Sequence, residues 1–209
     1  MDDFADKAFE HSLGPTISNM TETKAAIRKR IRAVRDAVDG VTRAAWSASV
    51  CAQALALPAY RSANTVHVFL SFGSEVDTAM IVRDALERGK RVVVPAFPDA
   101  PDAMRMCALT TLSPEAFDIG VWGTRTPKRF VPIAADEIDL AFVPLAAFER
   151  RRDGRVARIG YGKGHYDRFL PQLRAGVPTI GLAFALQSVH DLPVEAHDAW
   201  LDAVITAPV

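Results

Sequence analysis

Apolar side chains recur at helical spacing at Ile27, Ile31, Val34 and Val38, and Thr21 or Thr23 can cap the start of that segment. A second helix is expected over residues 42–57, ending before Pro58. Residues 66–71 form an apolar run of strand length. Residues 77–88 then read as a helix, capped by Asp77 or Thr78 and stopped by Gly89, and residues 91–95 read as the next strand. Strand, helix and strand in that order imply a parallel pair joined by a right-handed crossover. Residues 96–132 are proline-rich and weakly periodic, with one strand expected at 104–109 and loops after it. Residues 138–144 predict a buried strand, 149–158 a charged loop, 165–174 a helix, 178–184 another buried strand and 202–206 a short last one. The alternation predicts an α/β fold with an open, mostly parallel sheet flanked by helices, a Rossmann-like three-layer arrangement. Residues 1–20 lack this patterning and read as a disordered extension, leaving residues 21–209 as one domain.

Composition narrows the function. The 209 residues are 49% hydrophobic and 24% charged, and 25 Lys plus Arg balance 25 Asp plus Glu. A neutral chain lacks the basic excess of a general nucleic-acid binder, so no nucleic-acid partner is expected and an anion site must come from local clustering. Cys51 and Cys107 stand apart from each other and from any C-x-x-C pattern, which excludes a disulfide scaffold and a cysteine-rich zinc site and suits a reducing cytoplasm. The longest charge-free stretch, residues 44–60, contains Ser47, Ser49, Gln53 and Pro58 and is too short and polar to span a bilayer. The first residues, with Asp2 and Asp3, do not resemble a signal peptide, and no membrane partner is expected.

Three features can carry chemistry. Gly160, Gly162 and Gly164 alternate just before a predicted helix, where backbone N–H groups can approach an anion. Lys163 and Arg158 add charge there, and Asp167 could hold a magnesium ion. The segment is neither a Walker A loop nor G-x-G-x-x-G, since His165 occupies the decisive position, and a tight strand-to-helix turn with incidental glycines is the competing reading. Lys24, Arg28, Arg32 and Arg35 form a basic stripe beside the apolar seam of the first helix, either a solvated face or one wall of a phosphate cleft. Glu75 falls just past a strand end, where open parallel sheets bind ligands; a surface carboxylate is its plainer alternative. In the charged loop, Arg151 and Arg152 read as solvated.

In order along the chain, these residues resemble the 5-formyltetrahydrofolate cyclo-ligase family, also called methenyltetrahydrofolate synthetase. The resemblance runs over roughly residues 24–206. It comprises Lys24 and Arg28; Phe69, Leu70 and Ser71 with Glu75; Gly89, Lys90, Val92 and Pro95; Asp139 to Pro144, then Ala147 and Phe148. Its most specific part is Gly160, Gly162, Lys163, Gly164, His165, Tyr166, Asp167 and Arg168, followed by Ala183, Phe184, Gln187, Pro193, Val194, His197, Asp198 and Asp202. Leu145 stands where the family usually has glycine, His165 where it often has Tyr or Phe, and the arginine loop is unusually basic.

The resemblance implies an ATP- and Mg²⁺-dependent enzyme that converts 5-formyltetrahydrofolate to 5,10-methenyltetrahydrofolate, releasing ADP and phosphate. It implies ATP binding by Lys24, Arg28, Arg158, Gly160, Gly162, Lys163, Gly164, His165 and Tyr166, with Lys163, Arg158 and Glu75 catalytic. Asp167 and Asp198 would hold the metal, and Glu75, Phe97, Trp122 and Tyr166 would bind the folate. The implied partners are these small molecules alone, with a cytoplasmic monomer expected. Another ATP-dependent kinase or ligase, or a nucleotide-binding sensor, could occupy the same frame.

Overall fold

The computed structural model describes residues 22–97, 104–120 and 123–207; the expected extension at residues 1–20 and the candidate ring of Trp122 lie outside them. In chain order the helices are α1 (Lys24–Asp36), α2 (Gly40–Ala56), α3 (Pro58–Ser62), α4 (Ala79–Glu87) and α5 (His165–Phe169). The strands are β1 (Thr65–His67), β2 (Arg91–Ala96), β3 (Arg105–Leu109), β4 (Phe117–Ile119), β5 (Arg125–Pro127), β6 (Leu140–Val143), β7 (Ala147–Arg150), β8 (Val156–Ile159), β9 (Thr179–Phe184) and β10 (Ala203–Ala207).

The caps follow side-chain chemistry. Thr23 accepts a hydrogen bond from the Ala26 N–H, Asp39 caps α2 from the Thr42 N–H, and Pro58 opens α3 immediately after α2. Gly89, at φ +70°, ends α4, with the Lys90 N–H returning to the Ala85 carbonyl.

Six strands form one sheet in the order β10-β9-β6-β1-β2-β3, parallel except for β3, which runs antiparallel to β2. Alternation divides the core: Val92 and Val94 face α2 and α4, whereas Val93 faces Phe148, Phe169 and Leu170. The chain steps from β1 to β2 on one side and returns to β6 on the other. Their carboxyl ends therefore flank a topological switch point, the usual place for a ligand crevice.

Five expectations require correction. The segment at 149–158 is a β7–β8 hairpin, pairing Phe148 with Arg158 and Arg150 with Val156, because the arginine stems lie along apolar surface. Arg150 stacks over Phe148 and reaches the Val204 carbonyl; Arg151, expected to be solvated, donates to the Leu192 carbonyl. The helix expected over 165–174 is five residues long and passes into a 3-10 turn at Leu170–Gln172, where Pro171 cannot donate. The strand expected over 66–71 pairs only through Thr65–His67. On α1 the buried seam is Ile27, Ile31 and Arg35, with Val34 47% exposed. Both cysteines are free and buried. Among the described residues no helix is long and apolar enough to cross a membrane.

Candidate active site at the sheet switch point

Phe69 beyond β1, Pro144 and Leu145 beyond β6, and Leu182 on β9 surround a narrow gap with Arg35, Glu75, Val76 and Gln187. The buried Gln187 amide ties the segments around it together, donating to the Leu145 and Ala146 carbonyls at 2.8 and 3.2 Å and accepting from the Phe184 N–H. Glu75 is set by a turn after β1, where its carboxylate accepts from the Phe72 N–H at 2.9 Å. Burial pushes the Glu75 carboxyl above the usual carboxylate range, opposed by the nearby Tyr161 hydroxyl, the hydrogen bond from Phe72 and the Arg35 charge.

The glycine segment follows β8. Gly162 and Gly164 take φ of +93° and +64°, a region that side chains disfavour, and the turn feeds directly into α5. Arg28 crosses from α1 and donates through Nε to the Gly160 carbonyl at 2.7 Å, with its guanidinium against the Gly162 Cα. Arg35, one buried seam position from the end of the same helix, donates through Nη1 to the Tyr161 hydroxyl at 2.9 Å. The basic stripe therefore lies against the loop at Arg28 and Arg35. Arg32 faces outward, 3.8 Å from Asp36 and more than half exposed.

Lys163 is exposed on the loop, and its carbonyl accepts from Arg168 Nη1 at 3.1 Å. His165 contacts the Phe97 ring at 5.2 Å between centroids and meets Arg168 through Nδ1 at 3.2 Å. The structure thus brings Phe97, at the end of β2, to the glycine segment. Tyr166 turns inward, its hydroxyl 3.1 Å from Nε2 of His67 on β1.

Arg158 comes from β8. It is only 4% exposed and lies beneath the loop, donating to Asp167 Oδ1 at 2.7 Å and passing over the Tyr166 ring. Its Nη2 is thus engaged by Asp167 under the loop. Burial lowers its pKa, and the nearby Asp167 carboxylate opposes that shift. Asp167 also accepts from the Ala199 N–H at 3.1 Å, so it ties α5 to the C-terminal segment.

Asp198 accepts from Lys24 Nζ at 2.8 and 2.6 Å and from the Glu195 N–H at 2.7 Å. These contacts hold its carboxyl below the ordinary range, against the cost of partial burial, the largest single influence. Glu195, His197 and Asp198 place their ligand atoms within 4.8 Å of one another, a group that does not include Asp167.

Sequence reasoning missed Arg35 as a buried group, and also Tyr161 and His67. A tyrosine between two glycines was the visible signal for Tyr161. His67 is fully buried in an apolar run, and desolvation pushes its imidazole down to about 3, so it is neutral at ordinary pH.

Comparison with known proteins adds a family. Residues 20–207 match the model described as the 5-formyltetrahydrofolate cyclo-ligase family. The 5-formyltetrahydrofolate cyclo-ligase of Mus musculus is 29% identical over 191 residues, 87% of this chain and 90% of its own length. The Escherichia coli K12 protein of the same name is 32% identical over 148 residues, 69% of this chain and 78% of its own. The solved 5,10-methenyltetrahydrofolate synthetase of Aquifex aeolicus superposes with a TM-score of 0.74 at 24% identity, covering 88% of this chain and 89% of that one.

Proposed function

The chain belongs to the 5-formyltetrahydrofolate cyclo-ligase family, and from that membership we propose that it closes the imidazoline ring of 5-formyltetrahydrofolate at the expense of ATP. The observation that carries this reading is convergence at the switch point: α1, through Arg28 and Arg35, is bonded to the glycine segment at Gly160 and Tyr161, and Glu75 lies beside them.

The formamide oxygen is a poor leaving group. Transfer of the ATP γ-phosphoryl group to that oxygen releases ADP and leaves an imidate-like phosphate. The N10 amine then attacks the activated carbon, the C–O bond breaks, and phosphate departs with the N10 proton, leaving the methenyl bridge. Most of what such a reaction requires is alignment and charge neutralisation. Lys163 on the loop and Arg28 beside it supply positive charge at the phosphates, together with the N–H groups of the glycine segment. Lys24 extends the stripe from Asp198. Glu75 accepts from the polar edge of the pterin, and Phe97 and Tyr166 offer ring surface to the folate. Arg158 supports this arrangement from below.

Asp198 and Asp167 are oxygen donors of the kind Mg²⁺ takes, although each already holds a cationic side chain. The fit is better at Asp198, where the exposed carboxylate of Glu195 stands beside it. Mg²⁺ held there with the nucleotide would supply further charge neutralisation.

Purified protein given Mg-ATP and 5-formyltetrahydrofolate should generate the near-ultraviolet absorbance of the methenyl product. Absence of ATP-dependent product at micromolar enzyme overturns the proposal.

A further inference from the structure

His67 is a polar residue in an apolar setting. Its register partners are Val93 on β2 and Ala141 on β6, and all three are fully buried. Its strand neighbours Val66 and Val68 are buried as well, and its ring packs on Phe169 with centroids 5.0 Å apart. An aliphatic side chain would suit that space, since burying a polar ring costs free energy unless hydrogen bonds offset it. Nδ1 makes no hydrogen bond among the described residues. The contact that offsets the burial is at Nε2, 3.1 Å from the Tyr166 hydroxyl. That bond forms with either tautomer: Nε2 donates to the phenol oxygen or accepts its proton.

Tyr166 is held in turn at three points. Its hydroxyl meets His67, its ring stands edge-on to Phe169 at 5.9 Å and 82°, and the Arg158 guanidinium passes over it at 5.9 Å. His67 is the last residue of β1, so the tyrosine is fixed over a carboxyl strand end, beside the switch point. The residue is half-buried, which leaves part of it open to a ligand. Of the three contacts, the hydrogen bond has the narrowest angular range, whereas ring contacts tolerate a wide one. It therefore selects one orientation of the ring.

We infer that His67 is a positioning residue for the folate site: its bond to the Tyr166 hydroxyl presets the ring surface that formylfolate meets. The inference deepens the role proposed above for Tyr166 and rests on that reading for its kinetic consequence. Fully buried, His67 itself meets no reactant. A tyrosine free to turn has to be ordered when the substrate binds, and ordering one such side chain costs affinity. The bond to His67 removes that cost beforehand.

The test pairs a spectroscopic readout with a kinetic cycle. The chain holds three tyrosines, so NMR of isotope-labelled tyrosine Cζ gives three resonances, that of Tyr166 assigned by its absence in Tyr166→Phe. His67→Leu suits the apolar setting and removes the bond, whereas His67→Gln keeps a polar group in its place. In His67→Leu the Tyr166 Cζ resonance should move. The KM for formylfolate should rise about five-fold, the cost of ordering one side chain, with the KM for ATP within about two-fold. His67→Gln should bring the formylfolate KM back to within about two-fold of wild type. Tyr166→Phe removes one hydroxyl and should fold even if a His67 variant does not. It should raise the same KM by a similar factor, and His67→Leu should add less than about two-fold to it, because both changes act on one contact. An unmoved Tyr166 resonance overturns the inference, as does an equal rise in both Michaelis constants, a wild-type formylfolate KM in Tyr166→Phe, or an undiminished His67→Leu effect in that background. If wild type makes no methenyl product, the proposed activity has failed, and the Tyr166 resonance alone decides whether His67 holds the ring.

Discussion

Asp167 shows how a residue can answer to two roles that make different demands. As a magnesium ligand it would be a carboxylate waiting for a cation, and its removal would relieve repulsion in the empty site. In the structure it already has its cation: Arg158, 4% exposed, has Asp167 as its ion-pair partner. Replacing Asp167 leaves a buried guanidinium uncompensated, a change that typically costs about 3–5 kcal/mol. In a domain of this size that corresponds to a fall on the order of ten degrees in melting temperature. Asp167→Ala should therefore melt well below wild type in metal-free buffer, as well as losing turnover. A calorimetric trace that superposes on wild type without metal would return Asp167 to the metal and leave Arg158 sustained by other contacts. The sequence indicated that Asp167 mattered, since it follows the alternating glycines. It could not indicate the partner, because the pairing depends on where β8 runs beneath the loop.

At the scale of elements, α1 carries the clearest contrast. Arg28 and Arg30 sit two residues apart on one helix, yet they meet different surroundings. Arg28 donates to the Gly160 carbonyl, whereas Arg30 pairs with Glu22 in solvent. Exposed pairs of the second kind contribute little to stability. Arg28→Ala should raise the Michaelis constant for ATP at least several-fold with little change in melting temperature, while Arg30→Ala changes neither; equal behaviour of the two in steady-state assays would make α1 a packing element only. The helix itself was legible from Ile27 and Ile31. Its buried face was not fully so, because a spacing of three or four continues the seam equally well through Val34 or Arg35, and a hydrophobicity rule selects Val34. The structure takes Arg35, since Ser74 and Tyr161 wait there to receive its donors. The β7–β8 hairpin was illegible for a related reason. Arg150 lies on Phe148 and reaches the Val204 carbonyl, and Arg151 reaches that of Leu192, so a charge-rich stretch is ordered structure. By contrast β2, β6 and β9 were plain, because strands buried on both faces of a parallel sheet read as unbroken apolar runs.

The sheet makes one side chain a property of the whole molecule. His67 lies on β1, bonded to β2 on one side and β6 on the other, with its ring against Phe169 and its Nε2 at the Tyr166 hydroxyl. Its protonation is therefore expected to require opening of the central strand. Burial holds its pKa near about 3, against 6.5 for a free imidazole, with only the Val93 backbone pulling the other way. The unfolded chain therefore binds a proton that the folded chain refuses, throughout the window between those two values. The stabilisation is complete above 6.5 and is lost as pH falls below it, at about 1.4 kcal/mol per pH unit. Acidic groups whose pKa folding lowers, such as Asp84 and Asp139, start from 3.8 and add to the loss only further down. Glu75, whose carboxyl folding raises above 4.5, works the other way, and does so in wild type and variant alike, so His67 alone accounts for a loss of about 2 kcal/mol between pH 6.5 and 5. His67→Gln keeps an acceptor for Tyr166 and cannot titrate; whatever packing it forfeits is the same at every pH. Denaturant unfolding of the two proteins at pH 7 and pH 5 should show wild type losing about 2 kcal/mol more than the variant. Parallel losses would mean that His67 takes up its proton within the folded sheet, and that the crevice above β1 admits water down to the ring.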